Sequence, residues 1–161
     1  MESRTIELEI NDWKRARSPD IIYSGGLGSC IAIAIHNPMT STGYMIHDSG
    51  PDQMNITPEF IEMIKEENPD LSFLRAFIAG GDSYFPLNYL GLGQDCLKSR
   101  KFVENAMADI FTPDQYEIHW SPANHMAELY LNTRTGKFTH IVEDILDLDL
   151  LLDSQNFPQP L

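Results

Sequence analysis

Ser24-Gly25-Gly26-Leu27-Gly28-Ser29-Cys30-Ile31-Ala32-Ile33-Ala34-Ile35-His36 is the stretch whose reading decides how this chain folds. From Ile31 to Ile35, isoleucine alternates with alanine, the period of a β-strand. Gly43-Tyr44-Met45-Ile46-His47 follows across the turn-forming segment Asn37-Pro38-Met39-Thr40-Ser41-Thr42, which predicts a β-hairpin. So short an apolar run could also begin a buried helix, although a hairpin is the simplest reading. A thiol that merely packs needs neither the three glycines nor the two hydroxyls in front of it, so the stretch also raises a chemical question.

Working outward, Thr5 to Ile10 (TIELEI) alternates as a strand, followed by a charged connection, DWKRARSPD, and a short run Ile21 to Tyr23. Thr57-Pro58-Glu59 predicts a helix start with the Thr57 hydroxyl at N-cap and Pro at N1, and Asn68-Pro69 stops that helix. Ser72 to Ala79 reads as a strand closing on Gly80-Gly81. Apolar spacings of three and four predict a second helix over about 96 to 111. Tyr116 to Trp120, Met126 to Asn132 and Lys137 to Val142 read as strands, the last two joined by Thr133-Arg134-Thr135-Gly136. Several strands and two helices in one core predict a mixed α+β domain over residues 1–142. Residues 143–161 differ in composition: EDILDLDLLLDS is acidic and leucine-rich, and its leucines either dock on the protein's own surface or bind a partner.

The chain has 161 residues, 11 basic against 24 acidic, and a formal charge of -13. That charge repels phosphate backbones and anionic headgroups, which argues against nucleic acid and membrane surfaces as partners. No apolar run approaches the ~20 residues that span a bilayer, and MESRTIELEI lacks the apolar core of a secretory signal, so a cytoplasmic protein is expected. Cys30 and Cys96 are read as free thiols.

A cysteine attacks as thiolate and needs a base within reach. The hairpin can bring His47, seventeen residues after Cys30, back beside the thiol. Glycines allow a sharp turn that directs backbone N–H groups at a substrate oxygen. Ser24 or Ser29 could orient the imidazole. The bland reading of the same residues is a packed thiol, a half-buried histidine and an ordinary turn.

The arrangement resembles the chemoreceptor glutamine deamidases of the CheD type, in which a Leu-Gly-Ser-Cys motif carries the nucleophile, a threonine lies six residues earlier and a histidine seventeen later. Leu27-Gly28-Ser29-Cys30 and His47 match that pattern, and Ser24 stands at the threonine position. The likeness continues through Phe77-Ile78-Ala79-Gly80-Gly81-Asp82-Ser83-Tyr84-Phe85 and Arg134-Thr135-Gly136-Lys137, and it spans roughly residues 18 to 142. Asp48 after His47, and Pro122-Ala123-Asn124-His125-Met126-Ala127 without basic residues, depart from the family pattern.

The resemblance implies two packed β layers flanked by helices and a cysteine hydrolase that converts a protein glutamine side chain to glutamate. Cys30 would be the nucleophile, His47 the acid and base, and Ser24 the group that fixes its ring. Gly28, Ser29 and Asn124 would lie at the oxyanion and substrate-binding positions. No cofactor or metal is implied. The implied partner is a protein substrate with a target glutamine, a chemoreceptor among the candidates, together with a regulatory protein.

Weaker candidates are set aside. Gly26-Leu27-Gly28 and Gly91-Leu92-Gly93 do not complete a dinucleotide fingerprint, and His119, His125 and Cys96 lack a compact zinc pattern. The rival from another class is a catalytically idle, deamidase-like adaptor. Preferential alkylation of Cys30 by iodoacetamide at neutral pH is the expected mark of the enzyme, and two inert thiols that of the adaptor.

Overall fold

The computed structural model describes residues 2–50, 54–82 and 93–144, and among these the chain forms nine strands and two helices. The strands are β1 (Thr5–Glu7), β2 (Asp12–Arg17), β3 (Ile21–Leu27), β4 (Ile31–Asn37), β5 (Thr42–Asp48), β6 (Arg75–Gly80), β7 (Tyr116–Trp120), β8 (His125–Asn132) and β9 (Phe138–Asp144). The helices are α1 (Thr57–Glu67), between β5 and β6, and α2 (Gly93–Ile110), between β6 and β7. A four-stranded sheet has the order β1-β3-β8-β9, and a five-stranded sheet the order β2-β5-β4-β6-β7. The expected α+β fold, with two packed β layers and helices outside them, is borne out.

The predicted hairpin forms with Ile33 opposite Ile46 and Ala32 opposite His47. A strand sorts the Ile-Ala alternation by size, which a helix would not do. Ile31, Ile33 and Ile35 pack beneath the helices with Phe60, Ile64 and Met107. Ala32 and Ala34 face the other way, into the layer between the sheets, with Ile22, Leu27, Leu129 and Leu131. β4 is therefore buried on both faces at the centre of three layers.

Three local expectations need correction. DWKRAR is not a connection but β2, antiparallel to β5 from Asp12 opposite His47 to Arg17 opposite Thr42. An edge strand leaves one side to solvent, so it tolerates Lys14, Arg15 and Arg17 and buries only Ala16. TIELEI contributes only Thr5–Glu7, parallel to β3, before Asn11 at φ 59° turns the chain into β2. The strand expected from Ser72 begins at Arg75, because Asp70 caps a single 3-10 turn over Leu71–Phe73 by accepting from the Ser72 N–H at 3.0 Å. Of the family-like segment, Ser83 to Phe85 lie outside the described residues, as do Gly91, Leu92 and the tail from 145 to 161.

The start of α1 also differs from expectation. Thr57 is its first residue rather than its cap, and Ile56 at N-cap has no side chain to offer. Asp48, fully buried at the end of β5, performs the capping from across the layer. Its Oδ2 accepts from the Ile56 N–H (2.9 Å), the Thr57 N–H (3.0 Å) and the Thr57 hydroxyl (2.9 Å), and its Oδ1 from the Gly50 N–H (2.9 Å). A carboxylate at a helix N-terminus meets orphan donors and the positive end of the dipole. Removing it strands those donors away from water. We therefore expect Asp48→Ala to lower stability by about 2–4 kcal/mol in urea denaturation. A change below about 0.5 kcal/mol, the range of ordinary surface substitutions, would show that α1 does not depend on this cap.

Candidate active site

Ser24 and His47 belong to different sheets. Side chains three apart on a regular strand point to opposite faces, yet Ser24 and Leu27 are both fully buried between the layers. A bulge reconciles them. Ser24 pairs with Leu129 and Leu27 with Ala127, so β3 carries one more residue than β8 across Gly25-Gly26. Gly26 sits at φ +64°, where glycine is favoured. The bulge turns Leu27 inward, while Ser24 keeps the alternation set by buried Ile22 and projects towards the five-stranded sheet, its Oγ 2.8 Å from His47 Nδ1. The other ring nitrogen, His47 Nε2, is buried and has no hydrogen-bond partner among the described residues.

Cys30 lies just before β4 and packs against the inter-sheet cluster. His47 is directly opposite Ala32. Carrying the alternation back by two residues puts Cys30 on the same face as Ala32 and diagonal to His47, at the spacing over which cross-strand side chains meet. The structure therefore joins Ser24 to His47 by a hydrogen bond and brings Cys30 to the same face.

The backbone around Cys30 is held by a second glycine pair. The Gly81 N–H donates to the Cys30 carbonyl (2.9 Å) and the Asp82 N–H to the Gly28 carbonyl (2.9 Å). Gly80 is at φ +93°, and a Cβ there would lie 2.3 Å from the Cys30 oxygen. Only glycine permits that approach. From α2, Arg100 Nε donates to the Gly81 carbonyl (2.6 Å), while its guanidinium rests over the Trp120 ring (5.4 Å to the centroid). Fully buried Asp82 accepts from the His125 N–H at 3.2 Å. That contact ties the Cys30 loop to the turn carrying Asn124, which sits at φ 61°. Sequence reading missed Asp82 and Arg100 as supports. Asp82 follows the Gly-Gly pair directly, but nothing local marks Arg100, whose role exists only once α2 has docked.

Gly28 was expected near the oxyanion. Its N–H is instead engaged by the Gly26 carbonyl at 3.1 Å. That leaves the Ser29 and Cys30 N–H groups as the donors of this turn. Cys96 is buried on α2, as a packed thiol should be, and neither cysteine forms a disulfide. Among the described residues no group of three or more His, Cys, Asp or Glu side chains could hold a metal ion.

Burial pushes the Cys30 thiol up to about 11, reinforced by the nearby Asp48 and Cys96 charges and opposed by its own backbone N–H. Burial pushes His47 down, partly offset by Asp48. Both groups are consequently neutral at pH 7, a thiol beside an imidazole and not an ion pair. Labelling at neutral pH therefore cannot separate an active from an idle site.

The pH dependence has a definite sign. The folded chain keeps the Cys30 proton to about pH 11, whereas an unfolded thiol releases it near 9, so this contribution to stability is intact below 9 and is lost as pH rises towards 11. His47 acts at the other end: stability falls as pH drops below 6.5, because the unfolded ring takes up a proton that the folded one resists. Alkylation of Cys30 in the free protein should rise with a midpoint near 11, followed by peptide mapping. A midpoint below about 8 would mean that an ion pair already exists, as in strongly activated thiols.

The chain is similar in sequence to several curated proteins. No family model matches the chain. A probable chemoreceptor glutamine deamidase CheD of Clostridium botulinum is 29% identical over 151 residues, covering 85% of this chain and 92% of the relative. Its counterpart in Clostridium tetani is 32% identical over 98 residues, 53% of this chain and 59% of that one. CheD 3 of Geobacter sulfurreducens, likewise a probable chemoreceptor glutamine deamidase, is 42% identical over 45 residues, 28% of each chain. In the latter two, the match spans less than two thirds of the relative's length. The solved hypothetical protein YfiH of Bacillus licheniformis aligns with a TM-score of 0.45 at 16% identity, over 67% of this chain and 50% of its own, a likeness that bears on neither site nor function. By sequence, the chain is similar to proteins named chemoreceptor glutamine deamidases of the CheD type.

Proposed function

We propose that this protein hydrolyses the side-chain amide of a protein glutamine to glutamate through a thioester on Cys30. The observation that carries this reading is the buried Ser24–His47 hydrogen bond, which leaves Nε2 as the unpartnered nitrogen of a ring on the Cys30 face. With Nδ1–H donating to Ser24 Oγ, Nε2 keeps its lone pair and can accept a proton. Orientation of an imidazole by a third group is the logic of a catalytic triad. The names of the relatives favour a chemoreceptor as the protein carrying that glutamine.

The steps balance without a cofactor. Cys30 Sγ attacks the amide carbon as His47 Nε2 takes the thiol proton, and the oxyanion is held by the Ser29 and Cys30 N–H groups. His47 then gives the proton to the amide nitrogen, the C–N bond breaks and ammonia leaves. A water, deprotonated by His47, cleaves the thioester, releases glutamate and restores the thiol. Because the free enzyme holds neutral partners, the proton moves during attack rather than before it. Asn124 lies on the turn braced by Asp82, which supports its reading as a substrate-binding residue.

The second reading is a binding module with an idle site. It is favoured by one observation, the thiol raised to about 11 in the free protein. Ammonia release on a chemoreceptor substrate decides between them. Cys30→Ala and Cys30→Ser should be inactive while Cys96→Ser retains turnover, since a hydroxyl is a far poorer nucleophile than a thiolate. Ser24→Ala should lower kcat by roughly 10- to 10³-fold with KM little changed, a share of what general acid and base assistance supplies. Ser24→Thr should retain function. Full turnover in Cys30→Ala would assign the chemistry elsewhere, and wild-type kcat in folded Ser24→Ala would remove Ser24 from it.

A further inference from the structure

On a chain with only 11 cationic side chains, four of them, Arg4, Lys14, Arg15 and Arg17, gather around the β2 edge. Three are neutralised locally: Arg4 by Asp20 (2.9 Å), Lys14 by Asp12 (3.2 Å) and Arg15 by Glu67 at the end of α1. Arg17 has no carboxylate partner among the described residues. It lines a cleft of about 220 Å³ between β2, the β4–β5 turn and the end of α1, together with Arg15, Thr42, Tyr44, Glu67 and Asn68.

The cleft has a fixed polar floor. Thr42 and Tyr44 are each 3% exposed and Asn68 4%. Asn68 is locked, its Oδ1 accepting from Asn37 Nδ2 (2.8 Å) and its Nδ2 donating to the Ile64 carbonyl (2.9 Å) and the Tyr44 hydroxyl oxygen (3.3 Å). The Tyr44 oxygen is thus an acceptor within the protein, and its own proton donates to no described residue. A buried hydroxyl proton without an acceptor has an unmet hydrogen bond that a ligand can complete. Two guanidiniums stand against the single Glu67 carboxylate, so the cleft is locally positive on a protein of charge -13.

We propose that this cleft is a binding site for a small oxyanion, a phosphate or carboxylate group. The Arg17 fork and the Tyr44 hydroxyl would be its donors, with Arg15 held alongside by Glu67. Guanidinium geometry matches such oxygens in pairs, and the bonds are charge-assisted. The site lies at the turn end of the hairpin, whereas Cys30 and His47 lie at the other, so it does not depend on the proposed chemistry.

The test is titration of the full-length protein with inorganic phosphate and, separately, with acetate, at constant ionic strength, followed by amide and arginine side-chain NMR. Saturable shifts confined to Arg17, Thr42, Tyr44 and Asn68 are expected. Phosphate tighter than acetate identifies a phosphate site, and the reverse order a carboxylate site. Arg17→Gln, at an exposed position where the fold is not at stake, should weaken binding by about tenfold, and Tyr44→Phe by several-fold, whereas Cys30→Ala should bind like wild type. Unsaturable shifts with both anions, or equal affinity in Arg17→Gln, would overturn the assignment.

Discussion

Strand β4 is buried on both faces, and the rest of the molecule follows from the different sizes of side chain it shows to each. Isoleucines at 31, 33 and 35 fill the thick layer under α1 and α2, where Phe60, Ile64, Val103 and Met107 meet them. Each such side chain contributes roughly 1.5–3 kcal/mol by leaving water. Alanines at 32 and 34, with Ala79 and Ala127 beside them, make the inter-sheet layer thin. Thinness is what lets a side chain as short as that of Ser24 reach an imidazole on the opposite sheet at 2.8 Å. Larger residues at 32 or 34 would wedge the layers apart and break that bond first.

The same burial governs the chemistry. Removal from water disfavours every charged form, so the thiol holds its proton and the imidazole refuses one. Asp48 pushes both groups the other way from an ion pair's needs only in part: it raises His47 but also raises Cys30. Its position is dictated by α1, whose first turn it caps, rather than by the site. A residue that looked out of place beside the histidine is accounted for by helix capping. The protein gains a well-held α1, and burial keeps its thiol protonated.

Much of this was legible in the residues, for identifiable reasons. The Ile-Ala alternation, the turn after Asn37 and the seventeen-residue spacing from Cys30 to His47 are local signals, and they located the hairpin and put Cys30 and His47 on one face of it. The serine six residues before the cysteine was one of two hydroxyls legible as a partner for the ring, and the resemblance singled out its position; its contact with His47 crosses from one sheet to the other, which no local pattern anticipates. DWKRAR was misread since an edge strand carries little apolar pattern. The Asp48 cap, the Asp82 brace and the Arg100 clamp on Gly81 join residues far apart in sequence, so no local rule anticipates them. Gly28 was expected at the oxyanion, and its N–H is committed to the Gly26 carbonyl, a bond of the bulge that the residues alone do not announce.

The central claim is that Cys30 forms a covalent bond to the carbon of a glutamine amide, with His47 moving the proton. Acid quench of the protein during turnover of a chemoreceptor-derived glutamine peptide, with intact-mass analysis and peptide mapping, tests it most directly. The account predicts an adduct equal to the peptide less ammonia, about 17 Da lighter than the peptide itself, borne on Cys30 and absent from Cys30→Ala. An adduct on Cys96, or glutamate formed with no adduct and at an equal rate in Cys30→Ala, would contradict it.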